Sequence, residues 1–296
     1  MYFDNAEGMV FRPPSEANSL ILRVTIGCSH NACTFCGMYH DTAFRIRPEA
    51  EVTALIERAA ALYPYQRRIF LADGNALILP TDRLLKIMHH LAQAFPKLAR
   101  ITCYGGPHDI LRKTPEELAA LRNAGLHIIY LGIESGDDEV LSAVNKGVTA
   151  AQMSAAGQKV IAAGIKLSGM IILGLGGKDR TNGHAINTAK IINEINPTML
   201  GALTLMLHEG SPMRQAAENG EFYPLSPYEL MLELKEMVAH INVTQPCIFR
   251  STHISNFLPL AGTLPKDKDL LLTAIDQVLD VFRNQTSPTY NARNQY

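Results

Sequence analysis

The sequence predicts an α/β fold: a parallel sheet with helices packed outside it. Three observations predict it. Six apolar, β-rich stretches alternate with helical patterns from residue 20 to about residue 240, and strand–helix units in series imply parallel strands joined by crossover helices. Apolar residues make up 47% of the chain and charged residues 19%, so a large core can be buried, with fewer charges than the roughly 25% of an average soluble protein. A length of 296 residues suits one α/β barrel or two small domains.

The strands are expected at Leu20–Ile26, Arg68–Ala72, Arg100–Tyr104, His127–Ile133, Lys166–Leu173 and Thr198–Met206. Helical patterns fall near 48–63, 81–95, 115–124, 137–163, 181–195 and 226–240. Two helix starts are well marked. Thr114-Pro-Glu-Glu117 and Ser226-Pro-Tyr-Glu229 each pair a hydroxyl cap with proline at the first helical position and Glu at the third. Gly125 and Gly164 stand where helices should end. Six units leave three architectures open: a closed eight-unit barrel, an open doubly wound sheet and a partial barrel. A full barrel usually needs about 250 residues, and the stretch after residue 245 reads as irregular. The polar stretch 284–296 reads as a frayed tail.

Charge narrows the function. Lys plus Arg is 27 and Asp plus Glu is 28, a net charge of -1, which argues against a protein that coats a polyanion. A local basic patch leaves nucleic acid open as a partner. No apolar run is long enough to span a membrane, and the start lacks the basic and apolar regions of a signal peptide. The expected location is the reducing cytoplasm, where clustered thiols are metal or redox groups more often than disulfides.

Three of the five cysteines lie in nine residues. Strand one runs into Cys28-Ser-His-Asn-Ala-Cys33-Thr-Phe-Cys36, a Cys-x4-Cys-x2-Cys spacing. Three thiolates on one loop can hold three corners of a [4Fe–4S] cube and leave one iron open. The alternative is a zinc site of the same cysteines with His40 or His30. From these residues the chain resembles the radical S-adenosylmethionine (radical SAM) superfamily, whose cluster loop also follows the first strand, usually as Cys-x3-Cys-x2-Cys with an aromatic residue before the third cysteine. Phe35 matches that aromatic. The first interval here is one residue longer. The resemblance covers about residues 18–240 and implies a partial (β/α)6 TIM-like barrel with an irregular C-terminal extension. It also implies a [4Fe–4S] cluster on Cys28, Cys33 and Cys36, reductive cleavage of S-adenosylmethionine (SAM), and an electron donor such as flavodoxin or ferredoxin.

Further segments fit the resemblance. Asp73-Gly74-Asn75-Ala76 follows strand two, where the superfamily often has Gly-Gly-Glu-Pro against the SAM amino group. Gly74 would allow close approach, and the Asp73 and Asn75 oxygens could accept from an ammonium. Gly132-Ile-Glu134-Ser135-Gly136 and the residues after it look like the HemN/Elp3/MiaB branch, in which the acid lies near the SAM ribose. This implies a cofactor role for Glu134 and, less directly, for Ser135. Lys146 either holds the SAM carboxylate or is a solvated charge at a helix end. Gly174, in Gly169-Met-Ile-Ile-Leu-Gly174-Leu-Gly176, is similar to the turn on the adenine side. The glycines come too late in the chain for a Rossmann fingerprint.

Past residue 240 the sequence mixes Arg250, His253 and Asn256 with Phe and Leu. A six-unit barrel is open along one side. This stretch is expected to cover it, with those three side chains turned toward substrate. A chain ended after residue 245 is then expected to keep its cluster and lose its coupling to substrate; if the stretch only stabilises the fold, the alternative is an insoluble or cluster-free protein. Cys103 and Cys247 lack a Cys-x2-Cys partner, and Cys103 reads as a buried small residue. The division expected is a lead-in at 1–17, a core barrel at 18–240, an extension at 241–283 and the tail. The substrate expected is a small organic molecule; the alternatives are modification of RNA or protein, or a zinc or iron–sulfur binding module without catalysis.

Overall fold

The structure is a computed structural model and describes Asp4 and residues 9–284; the expected tail therefore lies outside the described residues, apart from Asn284. All six expected strands are present, and two more extend the sheet. In both chain and sheet order they are β1 (Leu20–Arg23), β2 (Arg68–Ala72), β3 (Arg100–Tyr104), β4 (Leu126–Glu134), β5 (Lys166–Leu173), β6 (Met199–Thr204), β7 (Cys247–Arg250) and β8 (Ala261–Leu264). The first seven pair in parallel. β8 returns antiparallel to β7, and no pairing of β1 with β8 closes the barrel among the described residues.

Strand alternation sorts the side chains. Leu22, Leu71, Ile129, Leu167, Leu200 and Phe249 face outward into one continuous core. The helices of that layer include α1 (Glu49–Leu62), α2 (Thr81–Ala94), α3 (Pro107–Arg112), α4 (Pro115–Asn123), α5 (Asp138–Ala143), α6 (Ala150–Ala162), α7 (Gly177–Ile195), α8 (Pro212–Glu218) and α9 (Pro227–His240). Ile21, Phe70, Ile128 and Tyr130 face the concave side with Tyr104, Met170 and Met199. Phe70, Tyr104 and Tyr130 meet edge-on there, with ring centroids 5.1 to 6.1 Å apart.

Both marked helix starts form reciprocal capping boxes. Gly125 and Gly164 take the left-handed conformation at φ 107° and 73°. The single helix expected over 137–163 is two, α5 and α6, because Asn145 and Gly147 turn left-handed at φ 54° and 77°. The first expected strand also divides. Thr25–Ile26 leaves the main sheet and pairs with Arg45–Ile46, closing a small ribbon at the base of the cysteine loop.

The lead-in belongs to the barrel. Val10 packs against the concave cluster, Phe11 meets Tyr39 edge-on at 5.5 Å, and Glu16 is fully buried. The Glu16 carboxylate accepts from Tyr130 at 2.5 Å and from Arg100 at 3.0 Å. The extension is regular where an irregular one was expected. β7 continues the parallel sheet, and α10 (Lys268–Asn284) buries Leu271, Ile275 and Leu279. Four residues after Pro246 are too short a run for periodicity to reveal β7.

Candidate active site

Gly27, at φ 75°, turns the chain off strand one into the cysteine loop. The loop is pinned by backbone bonds from Thr34 to Val144 and from Met213 to Thr34, both 3.0 Å. Phe35 supports it from below, packed with Val140, Val144, Leu175 and Met213. Cys28, Cys33 and Cys36 are all partly buried, and the three thiols, Glu134 and Lys146 lie close enough to act on one another electrostatically. Burial pushes the Cys33 thiol up to about 11 and raises that of Cys36, while the Lys146 ammonium works in the other direction. Ligation to a metal would require these thiols to give up their protons. Among the described residues no three His, Cys, Asp or Glu side chains are arranged around a single metal ion. His30 is bonded to the Asn145 carbonyl at 2.7 Å and His40 is exposed.

Gly74 lies directly under the first cysteine. A Cβ there would sit 2.8 Å from the Cys28 Cβ and 3.2 Å from its Sγ, so only glycine permits the contact. The two side chains beside it have different fates. Asn75 is committed to the scaffold: its Oδ1 accepts from Gly106 N–H at 2.9 Å, and its Nδ2 donates to Ser29 at 3.0 Å and to Asp109. Asp73 is held by one oxygen only. Its Oδ2 accepts from Arg23 Nε at 2.8 Å and from Gly27 N–H at 3.1 Å, with Arg23 Nη2 at ion-pair distance, 2.7 Å, while Oδ1 is buried without a hydrogen-bond partner. The Tyr39 hydroxyl is likewise buried and unpartnered, close to Asp73, Tyr104, Cys28 and Cys36. Burial raises the pKa of Asp73 against the pull of Arg23, and raises that of Tyr39.

Glu134 ends β4 in a register shift, at φ 62°. Its Oε1 accepts from Lys146 Nζ at 3.0 Å, and any Cβ on Gly132 would overlap that carboxylate. The left-handed residues on either side of Lys146 swing it inward to make this pair. Burial opposes the Lys146 charge, but Glu134 and the thiols outweigh it and raise its pKa. Ser135 does not join them. Its buried hydroxyl is bonded to His184 at 2.8 Å and accepts from Asp137 N–H at 3.0 Å, tying β4 to α7. Gly174, at φ 80°, donates its N–H to Glu233 of α9 at 2.6 Å.

The C-terminal candidates separate. Asn256 closes the end of β6, bonded to Thr204 at 2.9 Å and the Ala202 carbonyl at 2.8 Å. His253 is bonded to Ser255 at 2.8 Å, and burial lowers its pKa. Arg250 alternates with outward-facing Cys247 and Phe249 and so stands on the concave side. Sequence reasoning named Glu134 and Lys146 without their pairing, and it missed Tyr39, for which the three-residue step from Cys36 was the signal.

The sequence profile described as the Radical SAM superfamily matches residues 22–189, more than half of the chain. No curated protein matches the chain in sequence. Among solved structures, the chain is similar to coproporphyrinogen III oxidase (HemN) from Escherichia coli, at 19% identity and TM-score 0.56, covering 75% of this chain and 51% of that one. It is similar to the radical SAM methyltransferase TsrM from Kitasatospora setae, at 21% identity and TM-score 0.54, covering 67% and 39%. Methylornithine synthase (PylB) aligns at 14% identity and TM-score 0.52, covering 89% and 81%. The chain thus spans about half the length of HemN and less than half that of TsrM. At these identities the likeness shows a shared fold.

Proposed function

The chain belongs to the radical SAM superfamily, and from that premise we propose that Cys28, Cys33 and Cys36 hold the cluster of an enzyme acting on a small organic substrate. The superfamily's cofactors are a [4Fe–4S] cluster and SAM, which together supply one-electron cleavage of SAM and a hydrogen-abstracting radical. The observation that carries the reading is the convergence of three thiols, the Glu134–Lys146 pair and the unpartnered Asp73 oxygen around Gly74. His30 is bonded to the Asn145 carbonyl and His40 is exposed, which weighs against either as the fourth ligand of the zinc alternative.

The protein's own residues bind and orient. Gly74 lets backbone pass beneath the cluster loop. Asp73 Oδ1 is an acceptor for the SAM ammonium in place of the committed Asn75 amide. Glu134 accepts from ribose hydroxyls, and Lys146 neutralises it and is the donor for a carboxylate. Phe35 and Gly174 wall the adenine side, and Ser135 acts only through the position of Glu134. Residues 18–240 form the core and 241–283 the extension. An electron donor such as flavodoxin or ferredoxin reduces the enzyme in the cytoplasm, and no helix among the described residues is long and apolar enough to cross a membrane.

Anaerobic reconstitution tests the assignment. Iron and sulfide should fall to background when any one of Cys28, Cys33 or Cys36 is changed to Ala. Full iron and sulfide in the triple variant defeats it.

A further inference from the structure

The concave face carries an unbalanced charge. Its carboxylates are matched: Asp73 by Arg23 at 2.7 Å, Glu134 by Lys146 at 3.0 Å, and Glu16 by Arg100 at 3.0 Å. Two guanidinium groups on that side, Arg12 and Arg250, make no ion pair among the described residues. Arg12 is exposed, lies in the segment between Phe11 and Glu16 that runs along the concave cluster, and is close enough to Tyr104 to act on its phenol. Arg250 sits at the end of one cross-sheet row, Gly132, Met170, Gly201 and Arg250, paired in register from strand to strand. Gly201, between Met170 and Arg250, carries no side chain, and a Cβ there would meet nothing nearer than 3.9 Å, so the row leaves a hollow between Met170 and the guanidinium.

Arg250 is also held in place. Its Nη1 donates to the Phe249 carbonyl at 2.7 Å and the Gly262 carbonyl at 3.1 Å. Both acceptors are neutral backbone, so the charge stays uncompensated. The Nε and Nη2 groups, which form the side-on edge of the guanidinium, make no hydrogen bond among the described residues. That edge matches two oxygens of a carboxylate or phosphate through parallel hydrogen bonds, and fixing it in advance reduces the ordering cost of binding.

We propose that the substrate carries an oxyanion, a carboxylate or a phosphate group, gripped by the free edge of Arg250 and drawn into the concave face by Arg12. This rests on the reading of the site given above and adds the chemical class of what it takes. A neutral or cationic substrate would leave two positive groups at the hollow without a partner.

The test uses the reconstituted full-length protein and two probes, tricarballylate for carboxylate and pyrophosphate for phosphate. The chain has no Trp, so emission comes from tyrosine, including Tyr104 and Tyr130 on the concave face. Titration at fixed ionic strength should give a saturable change with at least one probe, and the stronger probe identifies the group. Arg250→Gln should weaken it roughly tenfold or more, the scale of a charged bidentate contact, and Arg12→Gln by a smaller factor. Arg250→Lys keeps the charge without the fork and should remain weak; it decides the matter if Arg250→Gln does not fold. Saturable binding by neither probe, or unchanged binding in the Arg250 variants, overturns the proposal. Iron and sulfide content of the wild-type protein is read separately. A chain that takes no cluster defeats the cofactor assignment, and the same titration on that protein still decides the anion site.

Discussion

At the scale of single residues, the Glu134–Lys146 pair shows how little of a site depends on residue type alone. Two residues apart on β4, Glu134 and Gly132 share a face by strand alternation, and Gly132 must be glycine to leave the carboxylate room. Whether Lys146 was a site residue could not be read from sequence, because its direction depends on the left-handed turns at Asn145 and Gly147. The same holds beside Gly74. Asp73 and Asn75 both offered an oxygen, and only the tertiary partners Arg23, Gly106 and Asp109 decide which one stays free. Glu134→Gln removes the negative charge and keeps the volume. We expect it to weaken SAM binding by about 1–3 kcal/mol, the range for charged hydrogen bonds, with iron content unchanged. Equilibrium dialysis of SAM against both proteins measures this, and equal dissociation constants would take Glu134 out of the cofactor site.

Among elements, helix starts were legible and helix breaks were not. A capping box is local chemistry, so Thr114 and Ser226 announced themselves; the break between α5 and α6 rests on two backbone conformations that many sequences could avoid. Asp137 shows what the break preserves. It caps α5 through the N–H groups of Glu139 at 3.1 Å and Val140 at 3.2 Å, and it clamps α7 through Arg180 at 2.9 Å and Asn187 at 2.8 Å. Burial pushes the Asp137 pKa up, but the bonds from Asn187, Arg180 and Val140 outweigh it and hold it below the ordinary value. A depressed folded pKa contributes stability above the unfolded value of about 3.9, lost as pH falls through the folded one. Asp137→Asn should therefore lower the urea midpoint near neutrality, and the difference from wild type should shrink in acid. A gap that stays constant across that range would show that the carboxylate charge contributes nothing.

For the whole molecule, the parallel sheet was legible because a helix with its own periodicity follows each of its first six strands. The extension was not, because β7 and β8 are four residues each and owe their conformation to neighbours distant in the chain. Its weight decides between the two outcomes of ending the chain after residue 245, a cluster kept with coupling to substrate lost or an insoluble, cluster-free protein. In the structure that cut strips β7 from the edge of β6, uncovers α9, and removes Cys247, Phe249, Leu264, Leu271, Ile275 and Leu279 from the core. Each large apolar side chain is worth about 1.5–3 kcal/mol when buried, so the five larger ones together rival the roughly 5–15 kcal/mol that holds a domain folded. The exposed edge of β6 would also offer unpaired backbone groups to other chains. We therefore expect the truncated chain to be insoluble on expression and to take up no cluster. A cut within the stretch after residue 284 leaves all of these contacts intact, and the chain should stay soluble with its full iron content. Soluble yield and iron per chain, measured for both cuts, decide the point: a soluble, cluster-loaded protein ending at residue 245 would show that β7, β8 and α10 decorate a barrel that is complete without them.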